Sequence, residues 1–165
     1  MSEKPIILWF RQDLRLADNP ALAAAAATGA PILPVFVLDD ETPGKWAPGG
    51  ASRWWWHHSL GTLSRALSEH GCTLHLRRGD AAGQIRTLAA ETGAQAVYWN
   101  RCYEPFATRR DSTLKNTLRE DGITAESFNA ALLFEPWEVK TKTGTPPKVY
   151  SPYWRAMRLL GDPPP

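Results

Sequence analysis

Apolar and polar positions alternate along this chain between two periods. Ile6 to Phe10 is an unbroken apolar run, the pattern of a short strand buried on both faces of a parallel sheet. Asp18-Asn19-Pro20 predicts a helix start, with Asn19 as cap and Pro20 at the first helical position. The alanine-rich helix that follows stops at Gly29, and Ile32 to Leu38 is a second apolar strand. Residues 39–51 form a polar Gly/Pro-rich loop. From Ser52 a long helix runs to His70 and ends at Gly71, with the stripe Trp56, Leu60, Leu63, Leu67 at helical spacing. Thr73 to Arg78 is a less apolar strand, suited to a sheet edge. Asp80 opens a helix carrying Ile85, Leu88 and Ala89. Ala96 to Asn100 is a fourth strand, Arg109 to Asp121 a helix with Leu114 and Leu118 inward, and Ile123 to Phe128 a fifth strand.

Five strands with four intervening helices predict an α/β fold: a doubly wound, Rossmann-like parallel sheet of order 3-2-1-4-5. Ligands of such sheets sit beyond the strand carboxyl ends, between strands one and four. The alternation stops after residue 130, so 1–130 reads as the domain and 131–165 as an extension and the start of a linker. In that extension Glu138 to Thr143 and Lys148 to Tyr150 predict an irregular hairpin around Gly144-Thr145-Pro146-Pro147. Ser151-Pro152 caps a final helix, Tyr153 to Leu160.

Composition narrows the class. At 165 residues, with 43% hydrophobic and 22% charged positions, the chain can close a core without disulfides or metal. Disordered, collagenous, coiled-coil and disulfide-scaffold classes are excluded. The net charge of +2 is too small to argue for nucleic acid; the excess is concentrated after residue 136. Cys72 and Cys102 form neither a redox nor a zinc spacing, so reduced thiols and a cytoplasmic location are expected. No apolar run approaches a signal or membrane segment. The ending Gly161-Asp162-Pro163-Pro164-Pro165 reads as a linker toward a further domain, and the chain itself as a monomer.

The candidate chemistry gathers at strand ends. No G-x-G-x-x-G or Walker sequence follows the first strand. Arg11-Gln12-Asp13-Leu14-Arg15-Leu16-Ala17-Asp18-Asn19 stands there instead, readable as ion pairs that fix a turn or as groups facing a ligand. The second strand ends Phe36-Val37-Leu38-Asp39 and the fourth runs into Arg101-Cys102-Tyr103-Glu104-Pro105. With Arg11 these converge on one rim, and aromatic rings with a few polar groups suit a flat conjugated ligand; alternatively Phe36 and Tyr103 only close the core. Trp54, Trp55 and Trp56 point about 100° apart on their helix, which favours a contact with a further domain over a ligand box. The four histidines lack metal spacing, and no nucleophile signature is present.

At Trp9-Phe10-Arg11-Gln12-Asp13-Leu14-Arg15-Leu16-Ala17-Asp18-Asn19-Pro20-Ala21-Leu22 the chain resembles the opening of the DNA photolyase/cryptochrome family. The resemblance continues in Tyr98-Trp99-Asn100-Arg101-Cys102-Tyr103-Glu104-Pro105, Arg110-Asp111, Lys140-Thr141-Lys142-Thr143-Gly144 and Lys148-Val149-Tyr150-Ser151-Pro152-Tyr153-Trp154. It implies an N-terminal antenna domain of a protein whose larger helical C-terminal domain, absent from this chain, holds FAD. In the family's deoxyribodipyrimidine photolyases, light-excited reduced FAD donates an electron to a cyclobutane pyrimidine dimer flipped out of DNA. This chain alone is then inactive and carries no catalytic residue. A cryptochrome blue-light receptor is the first alternative, and a stand-alone nucleotide-binding α/β protein the second. The antenna site of deazaflavin-binding relatives maps onto Arg11, Phe36, Val37, Leu38, Asp39, Arg53, Cys102, Tyr103, Glu104 and Arg110, with Asp39 and Glu104 as polar anchors. Folate-binding relatives carry Asn-Glu where Phe106-Ala107 stands, and deazaflavin relatives an acid where Cys102 stands. A deazaflavin or flavin is therefore ranked above methenyltetrahydrofolate. Partners implied are the missing FAD domain and damaged DNA, with no membrane.

Overall fold

The computed structural model describes residues 4–141 and 143–162. They fall into two compact units, one ending at Ala130 and the other beginning at Ala131. The first unit contains β1 (Ile6–Phe10), α1 (Pro20–Ala27), β2 (Ile32–Leu38), α2 (Gly50–Glu69), β3 (His75–Arg78), α3 (Ala81–Thr92), β4 (Ala96–Asn100), α4 (Pro105–Glu120) and β5 (Thr124–Phe128). The strands form one parallel sheet of order β3-β2-β1-β4-β5, as the pattern predicts.

Alternate residues of the strands other than the exposed edge strand β3 feed two cores. Ile7, Trp9, Val35, Val37, Val97 and Trp99 point toward Ile85 and Leu88 of α3 and Leu114 and Leu118 of α4. Leu8 and Phe10 point the other way, toward Ala21 of α1 and Leu63 and Leu67 of α2. All five residues of β1 are buried, which is why that strand reads as a continuous apolar run rather than an alternation. Only the second half of the α2 stripe is buried; Trp56 and Leu60 are half-buried.

Several boundaries differ from the sequence reading: α2 starts at Gly50 rather than Ser52, β3 at His75 rather than Thr73 and β5 at Thr124 rather than Ile123. α4 starts at Pro105 rather than Arg109, because the locked φ of proline suits the first helical position and Glu104 turns the chain into it in extended conformation. The predicted hairpin is a turn: the Thr141 amide donates to the Thr145 carbonyl at 2.8 Å, and no strand forms among the described residues of the segment. Pro146 and Pro147 supply no N–H for a ladder; Lys142 lies outside the described residues. The last helix, α5 (Tyr150–Arg158), starts three residues early. It packs Met157, Tyr153 and Ala156 on Phe134 and Val139 to make the small core of the second unit.

The loop leaving β1 is held by Asn100, buried at the end of β4. Its Oδ1 accepts from the Ala21 amide at 3.0 Å, and its Nδ2 donates to Asp13 Oδ2 at 2.6 Å and Asn19 Oδ1 at 2.7 Å. Asn19 in turn caps α1 by accepting from the Leu22 amide at 3.1 Å. Asn100 thus ties two strand ends and a helix start together. Asn100→Ala strands buried polar groups on three partners and is expected to cost about 3 kcal/mol, read as a lower urea midpoint at unchanged m-value. Asn100→Asp, which sets a carboxylate against that of Asp13, is expected to be at least as damaging; an unchanged midpoint in both variants would contradict this account.

Candidate functional site

β1 and β4 are neighbours at the centre of the sheet, and the chain leaves their carboxyl ends toward opposite faces, to α1 and to α4. That divergence opens a crevice where open α/β sheets hold ligands. Here it is a cleft of about 880 Å³, within the size range of small-molecule sites. The chain after β1, the end of β2 with its following loop, the first turns of α2 and the start of α4 make its four sides.

The walls are aromatic. Trp9 is buried at the bottom, Trp46 and Trp55 stand largely exposed, and half-buried Trp56 meets Phe36 edge-on, centroids 5.7 Å apart. Such surfaces favour a flat conjugated group through offset or edge contacts.

The polar floor is a charge network centred on Asp111. Its Oδ2 accepts from Arg11 Nη1 at 2.5 Å, and its Oδ1 accepts from Arg110 Nε and Nη2 at 3.0 and 2.9 Å. Both guanidinium carbons lie near the Trp9 ring, 4.7 and 4.8 Å from its centroid. Arg11 Nη2 also donates to the Asn100 carbonyl. Asp39 Oδ2 stands 3.7 Å from Arg110 Nη1, so two buried cations face two buried anions and the floor is balanced.

Asp39 has a structural task. Its carboxylate accepts from the Glu41 and Thr42 amides, the Thr42 hydroxyl and the Ala81 amide, at 3.0, 2.9, 2.5 and 3.2 Å. Burial alone would raise its pKa, but these bonds outweigh burial and hold it below the usual carboxylate value. Its oxygens are occupied with joining β2, its loop and α3, which removes it as a free ligand anchor. Glu104, expected as the second anchor, accepts from Gln12 Nε2 at 2.7 Å and so latches the β1 loop to the start of α4. Burial pushes the Cys102 thiol up to about 11, with Arg11 and Arg110 pulling back against Glu104 and Asp111. It is a neutral thiol near pH 7, not a nucleophile.

Of the residues mapped from the sequence, Arg11, Phe36, Val37, Asp39, Cys102, Glu104 and Arg110 come together on the cleft. Leu38 and Arg53 line a smaller neighbouring cavity, where Arg53 forms a two-pronged pair with Asp40 at 2.7 and 3.2 Å. Tyr103 lines neither and donates its hydroxyl to Asn129 Oδ1 at 3.3 Å. The sequence reading missed Gln12, Trp46 and Phe106, and assigned the tryptophan run to an interdomain contact although Trp55 and Trp56 line the cleft. The signal for Trp56 was available: it begins the α2 stripe and so faces the sheet. Among the described residues no group of three His, Cys, Asp or Glu side chains could hold a metal, and no helix is long and apolar enough to cross a membrane.

Comparison with known proteins accords with this architecture. The family model for DNA photolyase matches residues 6–165. A deoxyribodipyrimidine photo-lyase of Agrobacterium fabrum is 47% identical over 160 residues, covering 96% of this chain and 33% of that protein. Cryptochrome-1 of Arabidopsis thaliana is 40% identical over 159 residues, covering 95% and 23%. A bacterial class III photolyase from Agrobacterium tumefaciens aligns with a TM-score of 0.86 at 46% identity, covering 99% of this chain and 35% of that one. An archaeal photolyase from Sulfolobus tokodaii, solved with two FAD molecules that implicate a novel light-harvesting cofactor, aligns at 0.73 and 27% identity, covering 80% and 31%. The chain thus spans about a third or less of the length of these relatives. With its sheet order and nearly its whole length matched, this chain belongs to the DNA photolyase family and represents the family's N-terminal α/β domain.

Proposed function

We propose that the chain is the light-harvesting domain of a deoxyribodipyrimidine photolyase, and that the cleft between β1 and β4 holds its antenna chromophore. The single observation that carries this reading is the placement of an aromatic-walled cleft, floored by a neutral ion network, at the sheet's switch point in a member of this family. Bound there, the chromophore supplies absorption of near-ultraviolet or blue light and passes the excitation to FAD held by the helical domain. The chain's own part is positional. Trp55, Trp56 and Phe36 clamp a flat ring, Asp111 holds Arg11 and Arg110 against Trp9 beneath it, and the Gln12–Glu104 latch keeps two sides of the cleft at fixed spacing. A flavin or deazaflavin is the preferred occupant: the Sulfolobus relative carries two FAD molecules, and Phe106 and Ala107 line the cleft as apolar contacts. The whole protein would use FAD to split pyrimidine dimers in damaged DNA. A cryptochrome-type light sensor is the second reading, favoured by the identity to Cryptochrome-1.

The intact protein decides between the two: light-dependent loss of thymine dimers from an irradiated oligonucleotide supports repair, and undiminished dimers under the same light support the sensor. Trp55→Ala is expected to weaken chromophore retention about tenfold, or about 1.4 kcal/mol, with unchanged circular dichroism because the ring is 67% exposed; undiminished retention would remove the clamp.

Asp111→Asn withdraws the shared counter-charge of two buried guanidiniums and is expected to destabilise the fold by about 3–5 kcal/mol, measured by urea unfolding. Cys102 is expected to alkylate slowly at pH 8, faster as pH climbs toward 11, and more slowly with the chromophore bound, followed by peptide mass spectrometry. The sign follows from the raised pKa: folding favours the protonated thiol, so this contribution to stability is complete below the unfolded thiol's pKa and fades as pH rises through the folded value.

A further inference from the structure

Beside the cleft lies a second cavity of about 410 Å³. It forms where the first half of α2 spans the edge strand β3, and its apolar lining includes Leu38, Leu60 and the 62% exposed Leu76. Phe36 and Trp56 line both cavities, so the two meet at that one aromatic pair. The chemistry differs on the two sides. The cleft has a balanced floor, whereas the slot has Arg53 and Arg78 at its border. Both reach for the same carboxylate: Arg53 Nη2 lies 2.7 Å from Asp40 Oδ1, and Arg78 Nη2 3.5 Å from Asp40 Oδ2. One carboxylate between two guanidiniums leaves a positive charge over. Arg77, also on the slot, is matched separately by Glu91 at 2.7 Å. The Arg78 side chain is 77% exposed and holds its partner only loosely, so it can turn to a ligand at little cost.

We infer that this slot is a subsite for an anionic tail, a phosphate or carboxylate on a short stem, of the same molecule whose ring lies in the cleft. The stem packs over Phe36 and Trp56 against Leu60 and Leu76, and Arg78 and Arg53 receive the anion. This assignment rests on the cleft being the chromophore site, and it makes Arg78 a residue that selects among chromophores with the same ring system.

FMN and riboflavin share one ring and differ in the terminal phosphate, which makes them the probes. Titrated into the 165-residue chain at 0.15 M salt and followed by flavin fluorescence, FMN is expected to bind at least tenfold more tightly than riboflavin. Arg78→Gln is expected to bring the ratio of the two affinities down toward one, and raising the salt to lower it in the unsubstituted chain. Circular dichroism of the variant checks the fold. Equal binding of the two flavins by the unsubstituted chain would overturn the slot and leave the cleft assignment standing. A phosphate preference left undiminished by Arg78→Gln would also overturn it, since the anion would then sit elsewhere. Binding of neither flavin would overturn the flavin reading of the cleft and the slot together.

Discussion

The carboxylate of Asp111 is the interaction on which the site depends. It lies on α4, yet it neutralises Arg11 from the end of β1 and Arg110 from its own helix, and both guanidiniums lie near the ring of Trp9. Desolvating two arginines is costly unless each finds an anion and its donors find acceptors. Asp111, Asp39 and the Asn100 carbonyl supply the anions and most of the acceptors from α4, β2 and β4, and of the Arg11 donors the buried Nε alone is left without a hydrogen-bond partner. Three strand ends and one helix are thereby locked into one arrangement, so the ion network fixes the floor of the cleft rather than simply adding stability.

Above that floor the division of labour is between rigid and adjustable surface. Trp9, Phe36 and Val37 are strand residues packed into the cores. Trp46, Trp55 and Trp56 stand on the loop and first turns of α2, outside the buried part of its stripe. A ring entering the cleft therefore meets a fixed base and more exposed sides, a combination that lets a preformed site close on its ligand with little reorganisation. The adjoining slot extends this to charge: the base is neutral and the slot carries an excess of arginine, so a ring and a tail bound as proposed would be recognised by different physics.

Much of this was legible in the sequence. The unbroken apolar run of β1, the Asn19-Pro20 start of α1 and the β-α alternation determined the fold class, because burial on both faces and helix capping are local demands written in adjacent residues, and the strand order followed from the handedness rule for such folds. The resemblance carried by residues 9–22 and 98–105 pointed to the family, and the switch-point rule pointed to the strand carboxyl ends, where the structure has its cleft.

What only the tertiary structure decided is which polar groups are spent on one another. Asp39 and Glu104 look alike in sequence as anchors at strand ends, but Asp39 accepts from four donors of its own loop and α3, whereas Glu104 accepts from Gln12, 92 positions away, through one oxygen. Arg53 and Leu38 fell to the neighbouring slot and Tyr103 turned toward Asn129 for the same reason. Local pattern sets which residues enter helix and strand, since the forces there act over a few positions. Hydrogen-bond and ion-pair partners are set by distances in space between segments tens of residues apart, and no periodicity along the chain encodes them.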